Sequence, residues 1–192
     1  MKQTYAAFVA TLIVLTSISP VSAHQHELAL ADIAKNDLPK WLYNPLTIDG
    51  IKAQNSKTRD MSEAEIIKLD NQWREEVDAS SQPLITEVLS SPLSAYLKQV
   101  KTNSQGLFTE IFVMDAKGIN VGQSDVTSDY WQGDEAKWQK TFPEGPKAIH
   151  VGEIDLDEST QQFQSQLSVS IVDPASGSVI GAITVGINLD EL

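Results

Sequence analysis

The chain has 192 residues, with 14 Lys and Arg against 26 Asp and Glu, a formal net charge of −12 and no cysteine. An acidic chain without a basic run argues against nucleic acid and against an anionic membrane surface, which both need Lys and Arg facing phosphates. The absence of cysteine excludes disulfides, thiolate nucleophiles, cysteine zinc sites and a lipid carried on a terminal cysteine, and 41% hydrophobic with 21% charged residues is ordinary globular material.

Residues 1–23 read as a secretory signal peptide. Lys2 supplies the positive start, Ala6–Ile18 an apolar run, Pro20 a break, and Val21-Ser22-Ala23 a small-residue cleavage site. The run is shorter than the roughly 20 residues of a membrane-spanning helix. The expectation is cleavage before His24 and an exported, periplasmic protein. Residues 24–61 read as an N-terminal extension: a short helix over Glu27–Lys35, interruptions at Pro39 and Pro45, packing through Trp41, Leu42, Tyr43 and Leu46, and a polar loop over Ile51–Asp60.

Ser62-Glu63-Ala64-Glu65 fits a capping box. Ile66, Leu69, Trp73 and Val77 then form one apolar stripe at helical spacing. Leu84, Ile85, Val88 and Leu89 continue it beyond Pro83, which kinks or restarts the helix. Ser91-Pro92 is a further cap and first-turn pair, and Leu93, Tyr96, Leu97 and Val100 carry the pattern to about Lys101. After Gln105-Gly106 the period changes. Leu107–Met114 predicts a strand, Asp115-Ala116-Lys117-Gly118 a turn, and Ile119–Ser124 the second strand of a hairpin. Ser128–Phe142 is a partly helical crossover. Ala148–Asp155, Gln162–Val172 and Ser178–Ile187 predict three more strands, the last two joined by a turn at Asp173–Gly177. The expected class is α+β: a five-stranded antiparallel sheet covered by a long N-terminal helix and a helical crossover.

Three strings resemble the extracellular PAS-like sensor domains called single Cache or PDC domains, over roughly residues 62–192. Leu107–Gly118 is similar to the first Cache hairpin, a strand ending in Asp-x-x-Gly. Thr127-Ser128-Asp129-Tyr130-Trp131-Gln132-Gly133-Asp134-Glu135-Ala136-Lys137-Trp138 resembles the segment after the second strand and is the most specific of the three. Ser168–Asp173 with Gly177–Asn188 looks like the closing hairpin. The resemblance implies a PAS-like fold that binds a small molecule, often a carboxylate or amino acid, beneath the crossover. Its members signal through flanking membrane helices. The signal peptide and the end just after the last strand depart from that pattern, so the expectation is a stand-alone secreted domain acting through a membrane or periplasmic partner.

The ligand-binding candidates follow from the residues and from that resemblance. Tyr130, Trp131 and Trp138 can wall a small pocket, and Lys137 can pair with an anionic group; the same aromatics could simply seat the crossover. Ser168 and Ser170 share one face of the fourth strand, opposite Leu167, Val169 and Ile171, and so face solvent or a polar cavity. His150 lies in the third strand and Asp173 in the closing turn. His24 and His26 could hold Cu(II) or Ni(II) in a square-planar set with a new amino terminus. Asp155, Asp157 and Glu158 lack the spacing of a calcium loop and read as a solvated acidic loop. No serine sits in a Gly-x-Ser-x-Gly elbow, and His150 is the one imidazole base in the folded part, so no catalytic residue and no cofactor are expected. The alternatives to a ligand-binding module are an interaction protein with a collapsed pocket, docking through its acidic surface and long helix, and a copper- or nickel-binding protein; in any of these the amphipathic helix could pair with a second copy.

Overall fold

In the computed structural model, which describes residues 20–36, 38–157 and 162–192, three helices start where a side chain satisfies a free backbone amide of the first turn. Helix α3 (Pro45–Thr58) begins at Asn44, whose side chain accepts from Leu46 N–H. Helix α4 (Glu63–Val77) begins with both halves of the expected capping box: Glu65 N–H donates to Ser62 Oγ, and Ser62 N–H donates to Glu65 Oε2 at 2.8 Å. Helix α6 (Pro92–Asn103) is capped by Ser91, which accepts from Ser94 N–H. Before them lie α1 (Pro20–Asn36) and α2 (Leu38–Leu42), and between α4 and α6 lies α5 (Pro83–Leu89). Residues 1–19, most of the expected signal peptide, and Glu158 lie outside the described residues, as does the side chain of His24. Among the described residues no helix is long and apolar enough to cross a membrane.

Two expectations about helices are corrected. Residues 51–58, expected to lie in a loop, are the second half of α3, and only residues 59 and 60 form a turn. The buried positions of α3 include only two large apolar side chains, Ile48 and Ile51; the others are Thr47 and Thr58, so hydrophobic periodicity does not reveal it. The expected long helix over 62–101 is three helices: α4 ends at Val77, and Pro83 and Pro92 open the next two as first-turn residues.

The strands are β1 (Phe108–Met114), β2 (Asn120–Gln123), β3 (Ile149–Val151), β4 (Asp155–Asp157), β5 (Gln162–Val172) and β6 (Val179–Asn188), and between β2 and β3 lie α7 (Ala136–Gln139) and a 3-10 turn over Phe142–Glu144. All pairings are antiparallel, in the order β2-β1-β6-β5-β3, with β4 also on β5. The sheet therefore has six strands where five were expected: the third breaks at Gly152-Glu153-Ile154 into β3 and β4. The turn before β2 forms as predicted, with Gly118 at φ 81°. The fully buried Asp115 anchors it, accepting from Lys117 N–H, Ile119 N–H and Thr58 Oγ; burial pushes its carboxyl up.

One sheet face carries Ile111, Val113, Leu167, Val169, Ile171, Ile183, Val185 and Ile187. It is covered by Leu30 and Ile33 of α1, Leu38, Trp41 and Leu42 of α2, Ile48 and Ile51 of α3, and Leu93 and Leu97 of α6. The 24–61 segment thus shares one core with the rest, although Tyr43 and Leu46, expected to pack, are exposed. The helix that opens on the capping box, α4, is not the sheet cover. Ile66 and Trp73 form a separate cluster with Ile85, Val88, Ile119 and Tyr130.

The capping box and the closing turn give folding a pH dependence. The Ser62 hydroxyl and amide, both donating to Glu65, hold its carboxyl below the ordinary 4.5. Ala175 N–H and the Lys52 ammonium hold Asp173 below 3.8. With folded-state values lowered, the unfolded chain binds protons first, so this stabilisation is complete above about pH 5 and is lost as pH falls through the lower folded-state values. The urea midpoint of Glu65→Gln is expected below that of the parent near about pH 6, with the gap narrowing as pH falls below about 4. A gap that persists in acid would overturn this assignment.

Candidate functional site

The second sheet face mixes polar and apolar side chains, and its register aligns residues from distant parts of the chain. His150 pairs with Ser168, Ser168 with Thr184, Thr184 with Phe112, and Phe112 with Gln123, so one row of side chains crosses five strands. Directly paired residues share a face. The next row is Ser170, Ala182 and Met114.

The crossover closes over these rows. Trp138 stacks on Phe142 with ring centres 5.2 Å apart, and both pack against Phe112, Met114 and Ala182. Trp138 Nε1 donates to Asp115 O at 3.1 Å. Lys137 Nζ lies 5.4 Å from the centre of the Phe112 ring, 2.8 Å from Glu135 Oε2 and 3.2 Å from Gln132 Oε1. Ser170 Oγ donates to Thr141 O at 2.8 Å, and Ser168 shares a 2.9 Å hydrogen bond with Thr184 Oγ1. The two serines therefore face neither solvent nor an open cavity, because the sheet and the crossover satisfy them.

Outward from this layer, α7 and the β3–β4 edge of the sheet enclose a cleft of about 630 Å³. Glu135, Lys137 and Lys140 line one side, and His150, Glu153 and Asp155 the other. Burial, with Lys140 nearby, lowers the His150 imidazole below 6.5, so it is neutral at pH 7 and the lysines carry the positive charge of the cleft. At the other end of the row, Gln123 is 1% exposed, and neither its Oε1 nor its Nε2 has a hydrogen-bond partner among the described residues. An unsatisfied buried amide costs about 1–3 kcal/mol per group, which makes this side chain the outlier of the face.

Lys137, Trp138, His150, Ser168 and Ser170 thus come together at the crossover face. Tyr130, Trp131 and Asp173 do not join them. Tyr130 is buried against Trp73, with ring centres 5.2 Å apart. Trp131 Nε1 donates to Lys117 O at 2.8 Å. Asp173 sits in the β5–β6 turn, 3.0 Å from Lys52 Nζ. Phe112, Gln123, Gln132, Lys140 and Thr184 were missed. Strand alternation could have put Phe112 and Met114 opposite Ile111 and Val113; no local signal marks Gln123. Among the described residues no three His, Asp or Glu side chains group as metal ligands. His24 and His26 both fall in the first turns of α1.

A latch ties the start of the crossover to α4. Asp70 is 6% exposed; its Oδ1 accepts from Tyr130 N–H at 2.8 Å and Trp131 N–H at 2.9 Å, while Oδ2 accepts from Arg74 Nε at 2.8 Å. Arg74 also reaches Asp129 at 2.7 Å. Behind the latch, Ile119 and Trp131 form a bridge that extends the sheet by one short pairing.

The architecture is therefore an antiparallel sheet packed on helices through one face and closed by a crossover on the other, with a charged cleft between crossover and sheet edge. No protein-family model and no curated protein sequence matches the chain. Among solved structures it is similar to the sensory domain of the Campylobacter jejuni chemoreceptor Tlp3, at 16% identity and a TM-score of 0.39, over 87% of this chain and 63% of that one. It is similar to the sensor domain of the V. cholerae histidine kinase DctB, at 17% identity and a TM-score of 0.38, over 87% and 58%. A third neighbour is the ligand-binding domain of the Pseudomonas aeruginosa amino acid chemoreceptor PctC in complex with GABA, at 15% identity and a TM-score of 0.42, over 80% and 62%. The chain spans less than two thirds of the length of each.

Proposed function

We propose that this chain is a periplasmic small-molecule-binding module of sensor type. It holds a small carboxylate or amino acid non-covalently beneath the crossover and acts through a membrane or periplasmic partner. The observation that supports this most is the row Phe112–Gln123 under Lys137: a cation over an aromatic ring, beside a buried carboxamide with an unused donor and an unused acceptor. Lys137 would exchange its present pairing with Glu135 for a ligand carboxylate, and the Gln123 amide would meet a polar group of the same ligand. Glu135, beside Lys137, suits the ammonium of a zwitterion.

The test is a thermal-shift and calorimetric screen of the purified, ligand-free protein against amino acids, 4-aminobutanoate and short carboxylates. A ligand at a hundred times its dissociation constant stabilises by about 2.7 kcal/mol, a rise of about 5–10 °C for a chain of this size. Lys137→Met is expected to weaken binding about tenfold or more. Gln123→Leu separates ligand binding from folding, because it should raise the ligand-free midpoint by removing an unsatisfied buried amide while lowering affinity. No ligand response in the parent protein, or full affinity in both variants, would end this reading.

A further inference from the structure

We propose that the protein has a second binding site, on the helical side of the sheet, for a neutral amphiphile: an apolar body carrying one carboxamide or hydroxyl group. The site is a groove of about 430 Å³ between α3 and the α5–α6 junction, floored by β2. Its volume lies in the range of small-molecule pockets. It is separate from the charged cleft, because α7 and the β3–β4 edge contribute no residue to it.

The walls are apolar, chiefly Leu46, Val88, Pro92, Leu93 and Val121. Gly50 keeps the α3 wall low, since a Cβ there would stand 3.4 Å from Leu93 and 3.7 Å from Val121. The floor is polar and incompletely used. Tyr130, 6% exposed, accepts a long 3.5 Å hydrogen bond from Gln54 Nε2, and its own hydroxyl proton has no acceptor among the described residues. Burial, with Glu87 and Asp115 nearby, raises that hydroxyl to about 12, so it remains a donor. The fully buried Asn120 donates through Nδ2 to Thr127 Oγ1 and Asp129 O, while its Oδ1 has no partner among the described residues. One unused donor and one unused acceptor among apolar walls match a group that both accepts and donates.

The charges around the groove set its selectivity. Asp49 and Glu87 face a single cation, Lys57. In a chain of net charge −12, that balance disfavours a carboxylate. An apolar molecule without a polar group would leave Tyr130 and Asn120 unsatisfied, so the polar group supplies specificity and the body supplies area.

The test is a titration of the ¹⁵N-labelled full chain with hexanamide, followed by amide chemical shifts. Perturbations are expected at Gly50, Ala53 and Val121 and not at His150 or Gly152. Hexanoate, of the same length and charged, is expected to bind about tenfold more weakly or less. Ala53→Trp, which fills the groove from the exposed face of α3, should abolish the perturbations. Tyr130→Phe, which keeps the ring and removes the donor, should weaken them about fivefold or more. No perturbation of the groove at millimolar hexanamide, equal binding of hexanoate, or indifference to both substitutions would overturn the proposal. An amino acid that binds the charged cleft should leave the hexanamide titration unchanged, so the two sites can fail separately.

Discussion

Replacing Asp70 by alanine is expected to lower the thermal midpoint by about 10 °C, corresponding to about 3–5 kcal/mol. The side chain is almost fully buried, and one carboxylate oxygen accepts from two successive backbone amides, those of Tyr130 and Trp131. Alanine leaves both donors without a partner in a region sealed by Trp73, which itself donates to Thr127 O at 2.8 Å. It also releases Arg74, which links Asp70 to Asp129. Asparagine is the informative control. Its Oδ1 can accept from the same two amides, so Asp70→Asn should cost only about 1 kcal/mol, and the difference isolates the latch from the loss of charge. The roof of the charged cleft continues directly from these residues, so Asp70→Ala should also weaken any ligand held there. A midpoint within about 2 °C of the parent would show that the crossover is held by its aromatic contacts alone.

Gly118→Val is expected to be of similar size, about 4 kcal/mol. Gly118 adopts φ 81°, where a β-branched residue is strained, and a Cβ there would lie 2.5 Å from both Cα and N of Gly133. The neighbouring backbone cannot yield, because Gln132 N–H donates to Gly118 O at 2.7 Å and Asn120 N–H to Tyr130 O at 3.0 Å. The substitution must therefore part the 118–120 and 130–132 segments and lift the crossover away from the sheet. Gly106, at φ 103° with nothing within 4 Å of a Cβ, offers the comparison. Gly106→Ala should cost only the conformational part, about 1–2 kcal/mol. Denaturant unfolding of the two variants side by side checks the contrast, and equal losses would place the whole effect in the turn's backbone angle.

Much of the fold was legible because its signals are local. A capping box needs residues three apart, and the Asp-x-x-Gly turn needs four consecutive residues, so Ser62, Glu65, Asp115 and Gly118 could be read directly. Strand alternation placed Leu167, Val169 and Ile171 in the core and set Ser168 and Ser170 on the other face. The same reasoning failed for α3, whose buried face includes Thr47 and Thr58 and whose Asn55 is spent on Ile180 O and Ala116 N–H, contacts 125 and 61 residues away. A helix that buries polar side chains against distant partners carries no apolar stripe.

The candidate site divides in the same way. The sequence by itself determined the α+β class, the hairpins, the caps, and a crossover rich in aromatics with one well-placed lysine. Only the tertiary structure decided which of those residues share a surface. It drew Tyr130 to Trp73 and the helical side, spent Trp131 on Lys117 O, and left Lys137 over Phe112. It also set Gln123 beside Phe112 and His150 beside Ser168, pairings fixed by sheet register between separate strands. Register follows from burying one whole face of a sheet at once, so it is a property of all the strands together and of no single stretch of sequence.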